Sequence, residues 1–136
     1  MGRHELREQV FLSLFCAEFH EKEEMPRQIS LFIENSEIAM DESDESFIED
    51  RVQSIVEHMP EIDKLITENT EGWTIDRMGK VELTAMRLAV YEMKYDEAIP
   101  DGVAIDEAVE ITKKYGQKNS GGFVNAILAK IVKLGE

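Results

Sequence analysis

The sequence predicts an all-α protein, a compact bundle of about six or seven helices, and three observations lead to that prediction. Apolar residues recur at spacings of three and four through most of the 136 residues, as they do on one face of an α-helix. No segment shows the strict alternation of apolar and polar residues that is typical of a half-buried strand. Only 3 prolines and 8 glycines interrupt the chain, whereas an all-β protein needs a turn every ~8–12 residues. The length favours a single domain over residues 1–136.

The first half of the chain contains three or four predicted helices. The first runs from Arg3 to about Phe19, with the apolar stripe Leu6, Val10, Phe11 and Leu14. A shorter stripe after Pro26 comprises Ile29, Phe32 and Ile33. Residues 40–46 are rich in acids and fit a loop or the start of a helix that continues through Phe47, Val52, Ile55 and Val56. Pro60 should either start the next helix or kink a continuous one.

The second half predicts three further helices. Residues 81–93 are apolar on almost every side, which places this helix at the centre of a bundle. A turn at residues 98–102 leads to a helix that ends near Gly116, where we expect a left-handed glycine. Asn119 or Ser120 should cap the last helix, whose stripe is Phe123, Val124, Ile127, Leu128 and Ile131.

The net charge of −14 is concentrated in one part of the sequence. Residues 18–71 hold 17 acidic and 4 basic residues, whereas residues 102–136 hold 4 acidic and 5 basic ones. Such an excess repels polyanions at long range and usually marks a solvated face. If a polyanion binds, we therefore expect it where the two ends of the chain come together.

No pattern in the sequence predicts catalysis. The 3 histidines are scattered, and neither metal-ligand spacing nor a nucleotide-binding glycine motif is present, so we expect no enzyme activity, metal or cofactor. Cys16 should be an inert, half-buried thiol. The single cysteine, the absence of a signal-peptide pattern and the short apolar runs together predict a cytoplasmic protein with no membrane partner.

Two basic clusters and one helix face are candidates for binding. Arg3, His4 and Arg7 lie at the start of the first helix, where both arginines continue the apolar stripe and must overhang the bundle or pack against another helix. Residues 113–122 combine lysines, a turn and a helix start, which is a ready anion site, and Tyr115 offers a ring for an unstacked base. The third candidate is a protein-partner surface on the helix side that carries Glu82, Met86, Ala89 and Met93.

These residues resemble the NusB family of bacterial transcription antitermination and termination factors across essentially the whole chain. The matching motifs occur in order at residues 7–15, 72–77, 81–92, 99–108 and 120–125. The resemblance implies two small helical bundles. It also implies binding of the boxA element in nascent ribosomal RNA leaders together with the ribosomal protein NusE, and an indirect link to other Nus factors and RNA polymerase.

The resemblance also suggests which residues bind. We expect the RNA to contact Arg3, His4, Arg7, Lys114, Tyr115, Lys118, Asn119, Ser120, Gly121 and Asn125. Phe15, Glu82 and Met86 are expected to face the protein partner. The arginine cluster at the start is thinner than is usual in the family, so we expect modest RNA affinity without NusE. A neutral Asn119 should partly compensate.

Two other interpretations stay open at this point. The chain could resemble the RNA-binding front module of a ribosomal RNA cytosine methyltransferase, or it could be a helical protein adaptor that binds no RNA. Arg7→Ala together with Lys118→Ala should weaken RNA binding and leave a contact with protein alone intact. The sequence does not fix the oligomeric state, the bases that are read, or whether Lys130 and Lys133 contact RNA.

Overall fold

A computed structural model describes residues 1–17 and 20–134 of the chain. Within those residues the backbone forms seven α-helices and two short 3-10 turns, at Lys22–Glu24 and Ile75–Arg77, and no strand. The predicted all-α fold of six or seven helices is therefore confirmed. Phe19, the expected end of the first helix, and the side chain of Lys133 lie outside what the structure describes.

The chain divides into two compact units, Met1–Glu57 and His58–Glu136, in agreement with the two small bundles that the resemblance implies. The N-terminal unit contains α1 (Arg3–Ala17), α2 (Met25–Glu34) and α3 (Glu42–Glu57), and each of these helices packs against the other two. The apolar stripes predicted from sequence face inward. The buried side chains are Val10, Phe11, Leu14, Met25, Ile29, Ile48, Val52, Ile55 and Val56.

Helix α3 begins with a reciprocal capping arrangement. The Asp44 backbone N–H donates to Asp41 Oδ1 at 2.8 Å, and the Asp41 backbone N–H donates to Asp44 Oδ2 at 3.2 Å. The hydrogen bonds from the Asp44 backbone and the Ser43 hydroxyl lower the pKa of the exposed Asp41 carboxyl. The acids at residues 41–45 thus begin a helix, because they satisfy N–H groups that have no partner within it.

The C-terminal unit contains α4 (Met59–Glu68), α5 (Lys80–Tyr95), α6 (Asp101–Tyr115) and α7 (Ser120–Leu134). Pro60 stands in the first turn of α4, so of the two predicted alternatives it starts a helix. Helix α5 packs against α4, α6 and α7 and has nine buried residues, which confirms its central position.

Helix α5 also buries charge, which its sequence pattern did not predict. The Arg87 Nε and Nη2 groups donate to the two Asp63 carboxylate oxygens of α4, each at 2.8 Å. A planar, bidentate pair of this kind satisfies the buried guanidinium and fixes α4 on α5.

Gly116 ends α6 in an extended conformation, with φ −102° and ψ −165°, so the expected left-handed stop there is wrong. Its backbone N–H donates to the Thr112 carbonyl at 2.8 Å. Glycine is required at this position for space, because a Cβ there would lie 2.8 Å from the Thr112 carbonyl oxygen and 3.2 Å from Val81 Cγ1. The left-handed glycine is Gly72, with φ +74°.

Candidate nucleic-acid interface

A cleft of about 870 Å³ opens within the C-terminal unit, and it contains part of the predicted RNA-binding turn. Three segments line it: the loop before α5, the first turn of α5, and the turn between α6 and α7 with the start of α7. Their residues are Trp73, Arg77, Met78, Gly79, Lys80, Val81, Glu82, Tyr115, Gly116, Gln117, Lys118, Asn119, Ser120 and Phe123. Residues far apart in sequence thus form one continuous wall.

The turn between α6 and α7 supplies the polar side of the cleft. The Ser120 backbone N–H donates to the Gln117 carbonyl at 3.1 Å, which folds the turn back and brings Lys118 and Asn119 to its tip. Both side chains are exposed. Helix α7 starts at Ser120, and the backbone N–H groups of a first helical turn, together with the helix dipole, favour an anion.

Other predicted residues on this turn lie beside the cleft and outside its lining. Gly121 is buried, and a Cβ there would lie 3.4 Å from Val109 Cγ1, an ordinary contact. Asn125 is exposed one turn further along α7. The Lys114 ammonium lies 5.3 Å from the centre of the Tyr115 ring, a cation–π contact that holds a positive charge beside the cleft.

Aromatic side chains also line the cleft, and the sequence did not predict two of them, Trp73 and Phe123, as binding residues. Trp73 is 48% exposed, and its ring meets the Phe123 ring edge-on, with centroids 5.9 Å apart and planes at 66°. An exposed indole in this position can stack against an unpaired base. The signal available in the sequence was the Gly72-Trp73 pair with Arg77 four residues later, which contributed only to the resemblance.

The charges at the entrance to the cleft are mixed. Arg77 is exposed at the end of its 3-10 turn, and Lys80 is exposed at the first position of α5. The hydroxyl of Thr74 donates a hydrogen bond that lowers the pKa of Asp76, so this carboxylate stays ionised next to Arg77.

Glu82 is the acid within the cleft wall. It is half-buried at the third position of α5, and its carboxylate folds back against Gly79, where a Cβ would collide with it. A Cβ on Gly116 would lie 3.3 Å from Glu82 Oε1. The carboxylate therefore lies between the start of α5 and the end of α6, against the turn that carries Lys118.

The predicted N-terminal residues belong to the other unit. Arg3 and His4 are exposed, whereas Arg7 is 8% exposed and already has an interaction within the protein. Of the two predicted alternatives, Arg7 packs inward, which argues against a direct contact between its side chain and RNA. That Arg3 and the Lys118 turn hold the same RNA strand stays a prediction.

The predicted partner residues differ in accessibility. Phe15 is half-buried and stacks on Phe11, with centroids 6.1 Å apart, and Glu82 is half-buried in the cleft. Met86 is 0% exposed, so its burial argues against the prediction that it contacts a partner. Ala89 is also buried, whereas Glu82 and Met93 are half-buried, so this helix side is divided between core and surface.

The structure also tests the expectations for Cys16, for a metal site and for a membrane-spanning helix. Cys16 is exposed, so the prediction that it is half-buried is wrong. In the part of the chain that the structure describes, no group of three or more His, Cys, Asp or Glu side chains is placed to hold a metal ion. None of the helices in the described residues combines the length and the hydropathy that a membrane-spanning segment needs.

The described residues form an all-helical protein with a cleft that combines lysines, a helix start and aromatic rings, of which that of Trp73 is exposed. Residues 4–133 match the model of the NusB family, and the chain belongs to that family. It is 47% identical to the transcription antitermination protein NusB of Agathobacter rectalis, over 96% of this chain and 98% of the relative. The relatives are named transcription antitermination proteins, which supports the prediction of a non-enzymatic factor.

Solved structures give the same result. The structure of T. maritima NusB superposes with a TM-score of 0.86 at 36% identity and covers 98% of this chain and 92% of that chain. A crystal structure of the antitermination factors NusB and NusE in complex with dsRNA superposes with a TM-score of 0.82 at 28% identity, over 98% of this chain and 99% of that chain.

Proposed function

We propose that this protein is a transcription antitermination factor that binds boxA RNA of nascent ribosomal RNA leaders together with NusE. It would act in the cytoplasm, where it helps to assemble a complex with other Nus factors on RNA polymerase. Membership of the NusB family and the solved relative that contains NusE and RNA support this proposal. The cleft of the C-terminal unit is the observation that carries it.

The cleft suits a single strand with at least one unstacked base. Lys118 and the start of α7 attract phosphate, while Trp73 and Tyr115 offer ring faces to bases. Stacking of this kind needs unpaired bases, because the bases of a duplex are already stacked on each other. We therefore propose a single-stranded boxA ligand, although the relative named above was crystallised with dsRNA.

The exposed N-terminal residues Arg3 and His4 supply the second set of proposed contacts. Lys114, Asn119, Ser120, Gly121 and Asn125 stay in the proposed RNA-binding set, with Gly121 acting through its backbone because it is buried. Phe15 in the N-terminal unit and Glu82 in the C-terminal unit each stay as a proposed contact for NusE. Arg7 and Met86 would support these surfaces from within the core.

The test is the affinity for a fluorescent boxA RNA, measured by anisotropy with and without NusE. Arg3→Ala combined with Lys118→Ala should weaken boxA binding about tenfold or more, since each lost phosphate contact removes part of the electrostatic attraction. Arg3 replaces Arg7 in this pair because the burial of Arg7 would mix binding with stability. Lys94→Ala is the control, because Lys94 is exposed on α5 and does not line the cleft.

The competitors in this assay separate the remaining interpretations. A duplex of the same sequence should compete poorly, and a scrambled single strand should compete less well than boxA. If the double variant binds boxA as tightly as the unmodified protein, the proposed site is wrong. If no RNA is bound while NusE is, the protein is an adaptor that acts without RNA.

The thin N-terminal arginine cluster gives a further expectation. With few phosphate contacts, the protein alone should show modest affinity and a shallow dependence of log K on log salt. NusE should supply much of the missing affinity. A salt titration with and without NusE measures this directly, and equal affinity in both series would contradict it.

A further inference from the structure

The N-terminal unit has a groove of its own, which lies between α1, α2 and the segment that follows α2 and has a volume of about 490 Å³. We propose that this groove, the α1–α2 groove, binds an extended and positively charged segment of a protein partner, with an apolar side chain of that segment between the two helices. The proposal is independent of the proposed function, because no residue that lines the α1–α2 groove also lines the cleft of the C-terminal unit.

The walls of the α1–α2 groove are apolar. Leu12 of α1 and Leu31 and Phe32 of α2 line it and are half-buried. Ile38, in the segment after α2, also lines it and is 50% exposed, and its backbone N–H donates to the Ser36 hydroxyl oxygen at 3.2 Å. An apolar side chain placed here would remove all four of these side chains from water, which favours binding. The volume lies in the range of about 300–1,000 Å³ that is usual for binding sites.

A buried glutamine indicates which backbone conformation the partner has. Gln9 lies on the same face of α1 as Leu12 and Cys16, lines the groove, and is 5% exposed. Within residues 1–17 and 20–134, no group forms a hydrogen bond with its side-chain amide. An amide that is buried in this way lacks hydrogen bonds that water would give it, and a ligand that supplies them gains affinity.

The Gln9 amide offers both a donor and an acceptor, as a peptide group does. In a helix the backbone N–H and C=O groups are already paired with each other, whereas an extended segment presents them free. The unpaired amide therefore favours an extended segment over a helix as the occupant of the groove.

The charge around the α1–α2 groove determines the charge of the partner. Glu37 lines the groove, and none of the described residues that line it is basic. Helix α2 ends beside it at Glu34 with no basic residue in its last turn, so the negative end of the helix dipole is not neutralised there. Residues 18–71 hold 17 acidic and 4 basic residues. A lysine or arginine next to the buried apolar side chain is therefore attracted to this surface.

The first test uses a phage-displayed library of short random peptides, selected on the unmodified protein. We expect the enriched peptides to combine a large apolar residue with a neighbouring lysine or arginine. A synthetic peptide of the enriched sequence should slow the alkylation of Cys16 by iodoacetamide, because Cys16 lines the groove and is the only cysteine of the chain. No enrichment, or enrichment only of acidic peptides or of peptides that leave the alkylation rate unchanged, would overturn the proposal.

Gln9→Met tests the role of the amide, because methionine keeps an unbranched side chain of similar length and removes both hydrogen-bonding groups. We expect the affinity for the selected peptide to fall about fivefold, as for one lost hydrogen bond. The melting temperature should stay the same or rise, because an unpaired buried amide has been replaced by an apolar group. Unchanged peptide affinity in this variant would exclude a contact with Gln9.

Glu37→Gln tests the charge at a surface position where folding is not affected. Its affinity for the selected peptide should fall roughly two- to threefold at low salt and less at high salt. Glu49→Gln is the matched control, because Glu49 is exposed on α3, outside the groove, and its loss changes the net charge equally. An equal loss in both variants would contradict the assignment of the charge to the groove. If the unmodified protein sediments as a dimer that Ile38→Arg dissociates, the occupant is a second copy of the chain and the proposed peptide partner is wrong.

Discussion

Basic residues lie at the start of α1 and in the turn just before α7, and the fold uses the two groups differently. At α1, Arg7 is buried and only Arg3 and His4 remain exposed. At α7, Lys118 and Asn119 stand exposed on the wall of a cleft that also contains aromatic rings. The difference arises from helical register. Arg7 continues the buried stripe of Val10 and Leu14, whereas Lys118 lies in a turn, outside any helical stripe.

The comparison shows that a basic residue is available to a ligand only if its side chain is not on the side of the helix that packs into the core. A guanidinium on the apolar side of a helix must find partners within the protein, because an isolated buried charge is costly. A lysine in a short turn between two helices stays in contact with solvent and does not need a partner within the protein. The C-terminal turn is therefore the stronger of the two candidate sites, and the following predictions test that ranking.

The largest effect is expected where the framework of the cleft is broken. Asp63→Ala leaves Arg87 without the partner of its two 2.8 Å hydrogen bonds and should lower the free energy of unfolding by about 3 kcal/mol. Denaturant unfolding followed by circular dichroism measures this loss. Asp63→Asn is the milder control, because its amide oxygen can still accept one hydrogen bond. A loss below about 1 kcal/mol would mean that the pair does not hold α4 on α5.

The second effect concerns the aromatic side of the cleft. Trp73→Ala removes a half-exposed ring and should weaken boxA binding by about 1–2 kcal/mol, the range expected for one stacked base. Trp73→Phe should retain much of the affinity, because it keeps an aromatic face and the edge contact with Phe123. Fluorescence anisotropy measures the boxA affinity of the two variants and of the unmodified protein, after circular dichroism has shown that both variants are folded. Equal binding by all three proteins would exclude stacking on Trp73.

The third effect compares the two basic clusters directly. Lys118→Ala should cost about 1 kcal/mol of boxA affinity and reduce the slope of log K against log salt by roughly one. Arg3→Ala should cost less, because Arg3 is not among the residues that line the cleft with Lys118. Salt titrations of both single variants provide the measurement. A larger loss for Arg3→Ala would reverse the ranking of the two regions.

The smallest effect lies in the N-terminal unit and should be felt only in stability. Asp41→Ala removes the cap of α3 and should lower the melting temperature at neutral pH, with no change in RNA affinity. The pKa of Asp41 is lowered in the folded protein, so its contribution is present above about pH 4 and is lost as the pH falls through the lower folded value. Thermal melts at pH 7 and pH 3 should show the difference between variant and unmodified protein shrinking at the acidic pH.

The helices could be predicted from sequence because each depends on its own periodicity. The apolar residues on almost every side of α5 indicated a central helix, and Pro60 indicated either a helix start or a kink, of which the structure shows the start. The reason why position 116 requires glycine could not be predicted from local sequence. A glycine after a helix fits a left-handed stop, whereas here the requirement comes from Val81 and the Thr112 carbonyl, whose approach depends on tertiary packing.

The candidate site was predicted only as far as it is local in sequence. The turn around Lys118 carries lysines, a tyrosine and a helix start within a few residues, so its ability to bind an anion could be predicted from sequence alone. Trp73 and Phe123 are fifty residues apart, and only the packing of the C-terminal unit brings their rings to 5.9 Å. For Arg7 the local pattern was misleading. Its spacing of four residues from Arg3 suggested a shared binding surface, but its position on the buried stripe of α1 places it in the core.

The uneven charge of the chain also affects how such a factor would behave among the many nucleic acids of a cell. A net charge of −14 opposes non-specific adsorption to chromosomal DNA and ribosomes, because the chain has few basic residues that could replace the cations condensed on nucleic-acid phosphates. Only a small fraction of the protein would be bound non-specifically to other nucleic acids. Its free concentration would therefore stay close to its total concentration, and a newly made transcript could recruit it as soon as a suitable stretch emerges.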